Sequence, residues 1–455
     1  MIKLNYFNCL KDSYLKNGLK LSQIQNNKYE KELNKVIINK SRPMMDWLDL
    51  PYQDKNTIAE IQLFGSKISR LYENFIVLGI GGSALGANAV KQALFKDVPS
   101  EGEKKKIKVT VVDNVDAEQF SKLLGKVNLK KTMFNVVTKS GTTVEILTMF
   151  SIVLQKLKTE LGEDFFVNLV VTTEKDNVLW KFCQENKIKT YEVPKGVGGR
   201  YSVLCPVGLL PCAVMGVDLT KLLLGAKQVL ENFKQQEGSK NLCYTSALIN
   251  YNYIMMGKKE IALLPYSNRL SQMTDFYIQL LSESLGKEKL LNGKANKTFF
   301  TPTKAEGVTY QHSLLQMYQE GSKDRLFCFI NLAKHNEDIK VPKFKNADLD
   351  KYLPTSMVTL MKQEQIGSSL AFKQAGHPSY ELIVPTLNEE NIGALLFYFE
   401  LTTVLMAEMM KVNAYDQQGV EMQKKYTKAL IGVKGFEEAK NELTEMLNNK
   451  ENFEF

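Results

Sequence analysis

The stretch NFIVLGIGGSALGANAVKQAL, from Asn74 to Leu94, decides the fold of this chain. It begins with a continuous apolar run at 75–78, which is the pattern of a parallel strand covered on both faces. Glycines up to Gly82 end the run, and because glycine lacks a Cβ they allow positive φ and let a ligand approach the backbone. Ser83 can then cap a helix whose N-terminus attracts anions. The stretch therefore predicts a strand, a glycine turn and a helix that could bind a phosphate.

This glycine turn has three interpretations. The residues from Gly79 to Ala84 also fit the G-x-G-x-x-A fingerprint of dinucleotide-binding proteins, and Asp113 closes the next apolar strand, where a ribose-binding acid would lie. Taken alone, the turn is compatible with a purely structural turn, with a nicotinamide-type oxidoreductase or with a phosphosugar site. Other segments of the chain have to distinguish these alternatives.

Length and composition predict a folded protein with more than one domain. The chain has 455 residues, 44% of them apolar, and no segment is low in complexity. In the opening MIKLNYFNCLKDSYLK, polar residues interrupt the apolar ones before a hydrophobic signal core could form. We therefore expect no secretory peptide and a cytoplasmic location.

Composition also bears on metals, nucleic acids and membranes. The net charge of +9 is scattered, without the basic stripe that nucleic-acid binding requires. The most membrane-like segment, Gly393 to Met410, carries Glu400 and Glu408 and lacks an uninterrupted apolar span, which predicts a core helix and no membrane association. No metal site is indicated, because the cysteines never fall in C-x-x-C spacing and are expected to be buried small side chains: Cys9, Cys183, Cys205, Cys212, Cys243 and Cys328.

Strand and helix patterns alternate after the first 60 residues. Helical segments separate the first set of apolar strands, which we predict at 75–80, 107–112, 133–138, 166–172 and 188–193. Helical crossovers between strands predict a parallel, doubly wound sheet that binds ligands at the carboxyl ends of its strands. A second set follows at 261–264, 297–300, 326–330 and 381–384. The predicted class is α/β, with an N-terminal helical extension, two domains and a C-terminal helical segment at 1–60, 61–200, 201–415 and 416–455.

The third predicted strand runs into a group of hydroxyls. It ends in TKSGTT, which contains Lys139, Ser140, Thr142 and Thr143 and is followed by the helical run VEILTMF. Hydroxyls and backbone amides at a helix N-terminus form a cup for a phosphate dianion, and the glycine allows close approach. A plain helix cap is the alternative. Two such turns at one sheet edge favour the phosphate site, and a dinucleotide site does not require the second cup.

Four further motifs carry reactive groups. GVGGRYS holds Arg200, one of only five arginines, where a planar guanidinium suits a developing oxyanion. ESLGK places Glu283 between two serines, QHS opens a helical run with His312, and DQQGVEMQK brings Gln417 and Lys424 to the C-terminal segment. Each motif alone also has an ordinary structural explanation, such as a loop arginine or a solvated glutamate.

Together, the motifs GIGGSALG, TKSGTT, GGRYS, ESLGK, QHS and DQQGVE, in this order, resemble those of the glucose-6-phosphate isomerase (phosphoglucose isomerase) family of the compact bacterial type. Six ordered motifs are far more specific than any one of them. The resemblance implies two sugar-isomerase (SIS)-type α/β domains, a cytoplasmic homodimer, no cofactor, and interconversion of glucose 6-phosphate and fructose 6-phosphate.

The resemblance also implies roles for individual residues. Glu283 would move the proton between C1 and C2, and Arg200 would stabilise the enediolate. His312, contributed by the neighbouring subunit, and Lys424 would serve ring opening. The substrate and its phosphate would be contacted by Gly82, Ser83, Lys139, Ser140, Thr142, Thr143 and Gln417. These residue types suit an isomerisation that abstracts a proton next to a carbonyl, which needs a base and positive charge over the enediolate.

This chain departs from the family pattern in three places. SGTT is often followed by a further hydroxyl and an acidic pair, where this chain has Val144-Glu145-Ile146, and Gln418 replaces a tryptophan. Residues 1–60 carry no motif that matches. Two alternative functions stay open: a non-catalytic phosphosugar-binding regulator, which would not need Glu283, His312 and Lys424 together, and a dinucleotide-dependent oxidoreductase.

Overall fold

The chain folds around two sheets made almost entirely of parallel strands. This computed structural model describes residues 1–95 and 106–448. The strands are β1 (Lys3–Asn5), β2 (Asn74–Leu78), β3 (Lys108–Val112), β4 (Thr132–Val137), β5 (Leu169–Thr173), β6 (Lys189–Glu192), β7 (Glu260–Pro265), β8 (Thr301–Lys304), β9 (Arg325–Leu332) and β10 (Ser379–Val384).

Helices connect the strands and cover the sheets. They are α1 (Leu21–Ile24), α2 (Glu30–Ile38), α3 (Lys55–Leu71), α4 (Leu85–Leu94), α5 (Ala117–Lys126), α6 (Val144–Leu161), α7 (Val178–Glu185), α8 (Pro206–Val214), α9 (Leu219–Gln235), α10 (Leu242–Met255), α11 (Ser271–Leu285), α12 (Leu315–Glu320), α13 (Ala347–Asp350), α14 (Met357–Gln374), α15 (Glu389–Met410), α16 (Glu421–Leu430) and α17 (Glu437–Asn448).

The first sheet is parallel throughout, in the order β3-β2-β4-β5-β6. Every position of β4 is buried, as expected for an apolar strand covered on both faces. Because β3 and β4 lie on opposite sides of β2, the order of the strands reverses between β2 and β4. Doubly wound sheets bind ligands at the carboxyl ends of strands beside such a switch point. The glycine turn and TKSGTT follow β2 and β4, so both lie at this switch point.

The second sheet repeats this arrangement in the order β1-β10-β9-β7-β8. Here β8 and β9 lie on opposite sides of β7, so the switch point is between β7 and β9. Strands β7 to β10 are parallel to one another. The prediction of an α/β protein with two doubly wound parallel-sheet cores is therefore confirmed.

The N-terminal segment differs from the helical extension predicted for residues 1–60. β1 pairs antiparallel with β10, with Leu4 opposite Leu382, and the Cys9 thiol donates a 3.3 Å hydrogen bond to the carbonyl of Ser379. A three-residue strand is too short to produce a hydrophobic period, and its partner lies near the other end of the chain. The segment is thus an edge of the second sheet as well as a source of helices.

The long helix α15 forms the centre of the main core. By length and composition it could cross a membrane, contrary to the expectation of a span too interrupted to do so, but 94% of its most apolar 18-residue stretch is buried inside the protein. It packs against α9, α10 and α11. The prediction of a core helix is confirmed.

Other expectations are mostly confirmed with small shifts. All six cysteines are buried and unpaired. The strand predicted at 297–300 lies instead at Thr301–Lys304, because the edge strand β8 carries a polar, half-buried sequence with little apolar signal. The C-terminal segment is helical in α16 and α17, and its last residues, 449–455, lie outside the described residues. The domain boundaries at residues 200 and 415 stay predictions.

Candidate active site

The guanidinium of Arg200 is the centre of the candidate site. Only 3% of its side chain is exposed. Its Nε donates to Ser284 Oγ at 2.8 Å, its Nη1 to Glu283 Oε2 at 3.2 Å and to Gln417 Oε1 at 3.3 Å. Its Nη2 donates to the carbonyls of Ala414 and Asp416. A buried arginine with this many acceptors is held in one orientation, which fixes its positive charge beside Glu283.

Glu283 lies in the last turn of α11. Its Oε1 accepts a 3.0 Å hydrogen bond from Gln279 Nε2, one turn earlier on the helix, while Arg200 holds Oε2. Its side chain is 30% exposed. The carboxylate is therefore oriented on one side and open on the other, which is the arrangement required of a base that must reach a bound molecule.

The glycine turn after β2 touches the loop that carries Arg200. A Cβ placed on Gly82 would lie 2.4 Å from the carbonyl oxygen of Gly199 and 2.7 Å from the amide nitrogen of Arg200. Only glycine permits this approach, so the turn and Ser83 are held against the arginine loop.

The hydroxyls of TKSGTT form a compact group in front of α6. Thr143 Oγ1 lies 2.7 Å from Thr138 Oγ1, and Ser140 Oγ accepts from the amide of Thr142 at 3.2 Å. Gly141 has φ +68°, and its missing Cβ leaves room for the side chain of Asn177. The turn therefore presents hydroxyls and amides at a helix start, as the sequence predicts for an anion cup.

Lys139 joins this cup to the arginine loop. Its Nζ donates to the carbonyls of Lys195 and Val197, both at 2.8 Å. Burial lowers the pKa of this ammonium, and Glu174, 3.9 Å away, opposes that shift. The lysine therefore places a positive charge between the cup and the arginine loop.

Two side chains that sequence reasoning missed support the loop that carries Gln417. Lys287 forms a 2.7 Å ion pair with Asp416 and also donates to its carbonyl, and its side chain is 11% exposed. Burial lowers the pKa of Lys287, while Asp416 raises it in part. Both residues belong to motifs already recognised, ESLGK and DQQG, so their place in those motifs was the available signal. Only the folded chain shows that they touch each other.

A cavity of about 440 Å³ opens beside these groups. Glu283, Lys287, Asp416 and Gln417 border it, together with Glu288. A carboxylate oriented by a guanidinium at the wall of a cleft can exchange a proton with a carbon-bound hydrogen of a molecule in the cleft. The geometry therefore supports acid/base chemistry.

His312 and Lys424 do not border this cavity. His312 is exposed at the end of a short 3₁₀ turn, Thr309–His312. The ammonium of Lys424 lies 2.9 Å from Glu421 on the same helix, and its side chain is 45% exposed. The structure thus brings together Arg200, Glu283 and Gln417, but not the two residues expected to open the ring. The predicted contacts of the phosphate and sugar also lie outside the border of this cavity: Gly82, Ser83, Lys139, Ser140, Thr142 and Thr143.

Comparisons with known proteins identify the family of this chain. The phosphoglucose isomerase family model matches residues 62–443. A glucose-6-phosphate isomerase of Carboxydothermus hydrogenoformans is 37% identical over 413 residues, which span 89% of this chain and 88% of that protein. A glucose-6-phosphate isomerase of Thermus thermophilus is 32% identical over 403 residues, which span 88% of this chain and 93% of that protein.

Solved structures show the same fold. A hypothetical protein from Thermus thermophilus superposes with a TM-score of 0.85 at 31% identity, covering 95% of this chain and 100% of that chain. A glucose-6-phosphate isomerase from Chlamydia trachomatis superposes with a TM-score of 0.82 at 21% identity, covering 99% of this chain and 92% of that chain. Since the family model and its relatives match most of its length, this chain belongs to the phosphoglucose isomerase family.

Proposed function

We propose that this chain interconverts glucose 6-phosphate and fructose 6-phosphate, with Glu283 carrying the proton between C1 and C2. The observation that carries the proposal is the contact of Arg200 with Glu283 at the wall of the cleft. Relatives that match nearly the whole chain are glucose-6-phosphate isomerases, which supports the same reaction here.

The proton transfer follows from this contact. Glu283 removes the proton from C2 of the open-chain aldose, the electron pair moves to form the C1–C2 double bond, and the carbonyl oxygen at C1 becomes negative. Delivery of the carbon-bound proton to C1, together with transfer of the O2 hydroxyl proton to O1, then gives the ketose with its carbonyl at C2. Arg200 stabilises the enediolate because its guanidinium is already held in place by Ser284 and the carbonyl of Asp416.

We assign substrate binding to the two turns at the switch point of the first sheet. Ser140, Thr142 and Thr143 would hold the phosphate with the start of α6, while Lys139 adds positive charge. Gly82 and Ser83 would contact the sugar from the glycine turn, and Gln417 from the cavity that it borders.

Ring opening is assigned to His312 and Lys424. Lys424 would have to exchange Glu421 for the sugar, since the two side chains are paired in the structure. His312 would act in the site of a second copy of the chain. In support of a homodimer, α12 follows His312 and packs on α14, and several large apolar side chains of this region are exposed: Met317, Phe344, Leu349, Tyr352, Met357 and Leu360. A cytoplasmic location belongs to the same proposal.

A subunit-mixing experiment tests the role of His312. Glu283→Gln and His312→Ala proteins would each be inactive alone. Mixed dimers would contain one site with an intact Glu283 and an intact His312, so random mixing should restore about a quarter of wild-type activity. No recovery after verified subunit exchange would contradict a shared site.

A coupled assay of fructose 6-phosphate conversion, with no metal or cofactor added to the isomerase step, tests the function itself. Turnover is expected. A well-folded protein that binds the sugar phosphate without turnover would instead be the non-catalytic regulator. The oxidoreductase alternative has no support from the comparisons, because the relatives that match nearly the whole chain are glucose-6-phosphate isomerases.

A further inference from the structure

The second sheet has a cavity between helix α14 and the strands β9, β10 and β1. This cavity, of about 510 Å³, is bordered by Tyr266 after β7, by Asn331 at the carboxyl end of β9 and by Pro385 after β10. Helix α14 and the edge strand β1 form its sides. The cavity therefore lies under α14 near the edge of the sheet and reaches the carboxyl ends of β9 and β10.

The polar groups of this cavity are only partly satisfied. Oδ1 of Asn331 is buried and makes no hydrogen bond within residues 1–95 and 106–448, while the amide of Gln365, a residue only 7% exposed, faces Glu381. Both side chains lie beside the carboxyl group of Glu381, whose pKa is raised by burial and lowered in part by these neighbours. A buried amide oxygen without a donor is costly in a folded protein, so the retention of Asn331 Oδ1 beside a cavity indicates a missing hydrogen-bond donor.

Two lysines supply positive charge at the cavity. Lys3 of β1 and Lys362 of α14 border it, and His335 lies beside them. Burial and the neighbouring Lys362 lower the pKa of His335. Lys362 already donates to the carbonyl of Ala333 at 3.1 Å, which places its ammonium at the carboxyl end of β9. Two flexible ammonium groups at the rim suit a phosphate, whereas one carboxyl and two amides inside suit hydroxyl groups.

We propose that this cavity is a second ligand site, separate from the catalytic cleft, that binds a phosphorylated sugar or polyol. The phosphate would lie between Lys3 and Lys362, and the hydroxyls would complete the hydrogen bonds of Gln365, Asn331 and Glu381. Apolar side chains of the lining, such as Met361 and Ile383, would cover the carbon chain. The cavity volume is within the usual range for small-molecule sites, about 300–1,000 Å³. This proposal does not depend on which reaction the catalytic site performs.

Glucitol 6-phosphate is a suitable probe, because it has phosphate and hydroxyl groups but no carbonyl and cannot be isomerised. Calorimetric titration of the full chain should show two binding events per chain. Lys362→Ala with Gln365→Leu should weaken one event at least about tenfold while leaving the melting temperature and the kcat and KM for fructose 6-phosphate unchanged. Thr142→Val should weaken only the other event.

Two further variants strengthen the test. Gln363→Ala lies exposed on the same helix without bordering the cavity and should keep both events. Lys3→Ala, at the exposed chain start, should weaken the second event without risk to the core. Unmodified glucitol and inorganic phosphate serve as separate ligands, and each should bind the second site at least about tenfold more weakly than the probe.

The proposal would be overturned if the wild-type protein shows a single binding event and Thr142→Val abolishes it. The same result is expected if another subunit covers the cavity, and it would overturn the proposal in that case too. Two events that both survive the Lys362→Ala and Gln365→Leu changes would place the second site elsewhere and also overturn it. Equal affinity for inorganic phosphate and for the probe would overturn the assignment to a sugar or polyol.

Discussion

Replacing Glu283 by glutamine isolates its function as a base from its structural contacts. Arg200 Nη1 can still donate to the amide oxygen of the glutamine. The new amide nitrogen would stand where Oε1 of Glu283 accepts a hydrogen bond from Gln279 Nε2, so two donors would face each other. Gln279 Oε1, however, is buried and makes no hydrogen bond within the described residues, so rotation of the Gln279 amide supplies an acceptor. The hydrogen-bond network therefore accommodates Glu283→Gln.

The magnitude follows from the lost chemistry. An amide cannot accept the C2 proton, and removing a general base typically costs about 10²–10⁴ in rate. This is about 2.7–5.5 kcal/mol of barrier at about 1.36 kcal/mol per tenfold change. The lost charge pair with Arg200 should change the free energy of unfolding by no more than about 1 kcal/mol, because Glu283 is partly exposed and Arg200 keeps its other acceptors.

The assay measures kcat for fructose 6-phosphate together with binding of an unreactive sugar phosphate and the melting temperature. Glu288→Gln, at an exposed residue that borders the same cavity, is the matched control and should keep wild-type kcat. Proton transfer by one residue also predicts that some tritium from C2 of glucose 6-phosphate appears at C1 of the product. If folded Glu283→Gln, verified by mass, keeps more than about a tenth of wild-type kcat, the base is another residue.

Three further predictions concern Thr142 of the phosphate cup, the ion pair between Lys287 and Asp416, and the buried Glu400. Thr142→Val should raise KM for glucose 6-phosphate by roughly 10–100-fold, the cost of a hydrogen bond to a charged group, and an unchanged KM would remove Thr142 from the phosphate site. Lys287→Met should lower kcat/KM at least about tenfold, because Asp416 loses its ion pair and the loop that carries Gln417 is no longer held. Lys287→Arg keeps the charge and should recover most of the activity. An equal loss of kcat/KM in both variants would contradict a positioning role for Lys287. Burial raises the pKa of Glu400 well above its usual value, so the folded state holds the proton of this carboxyl group. The free energy of unfolding should therefore fall as the pH rises above the pKa that Glu400 has in the unfolded chain. This loss reaches at most about 1.4 kcal/mol per pH unit, and urea unfolding should show that Glu400→Gln removes it. If the free energy of unfolding varies with pH in the same way in the wild-type protein and the variant, the reasoning is wrong.

Local chemistry was sufficient to predict much of this protein. A buried strand such as β2 or β4 is a continuous apolar run, and the glycines and hydroxyls that follow can be read within a few residues. The β-α alternation then implied parallel sheets and ligand sites at their carboxyl ends. These signals depend on neighbours along the chain, so the order of elements, the glycine turn and the TKSGTT cup could be predicted from sequence.

The contacts between distant segments were decided by tertiary structure. β1 has too few residues for a periodic signal, and its pairing with β10 depends on the edge that the second sheet leaves free. Arg200 meets Glu283 across 83 positions and Gln417 across 217, because packing of the two sheets brings a loop, a helix end and a C-terminal turn to one cleft. No local pattern encodes contacts between residues so far apart in the sequence. The motif residues could therefore be named from the sequence, whereas their hydrogen bonds and the ion pair between Lys287 and Asp416 form only when the chain is folded.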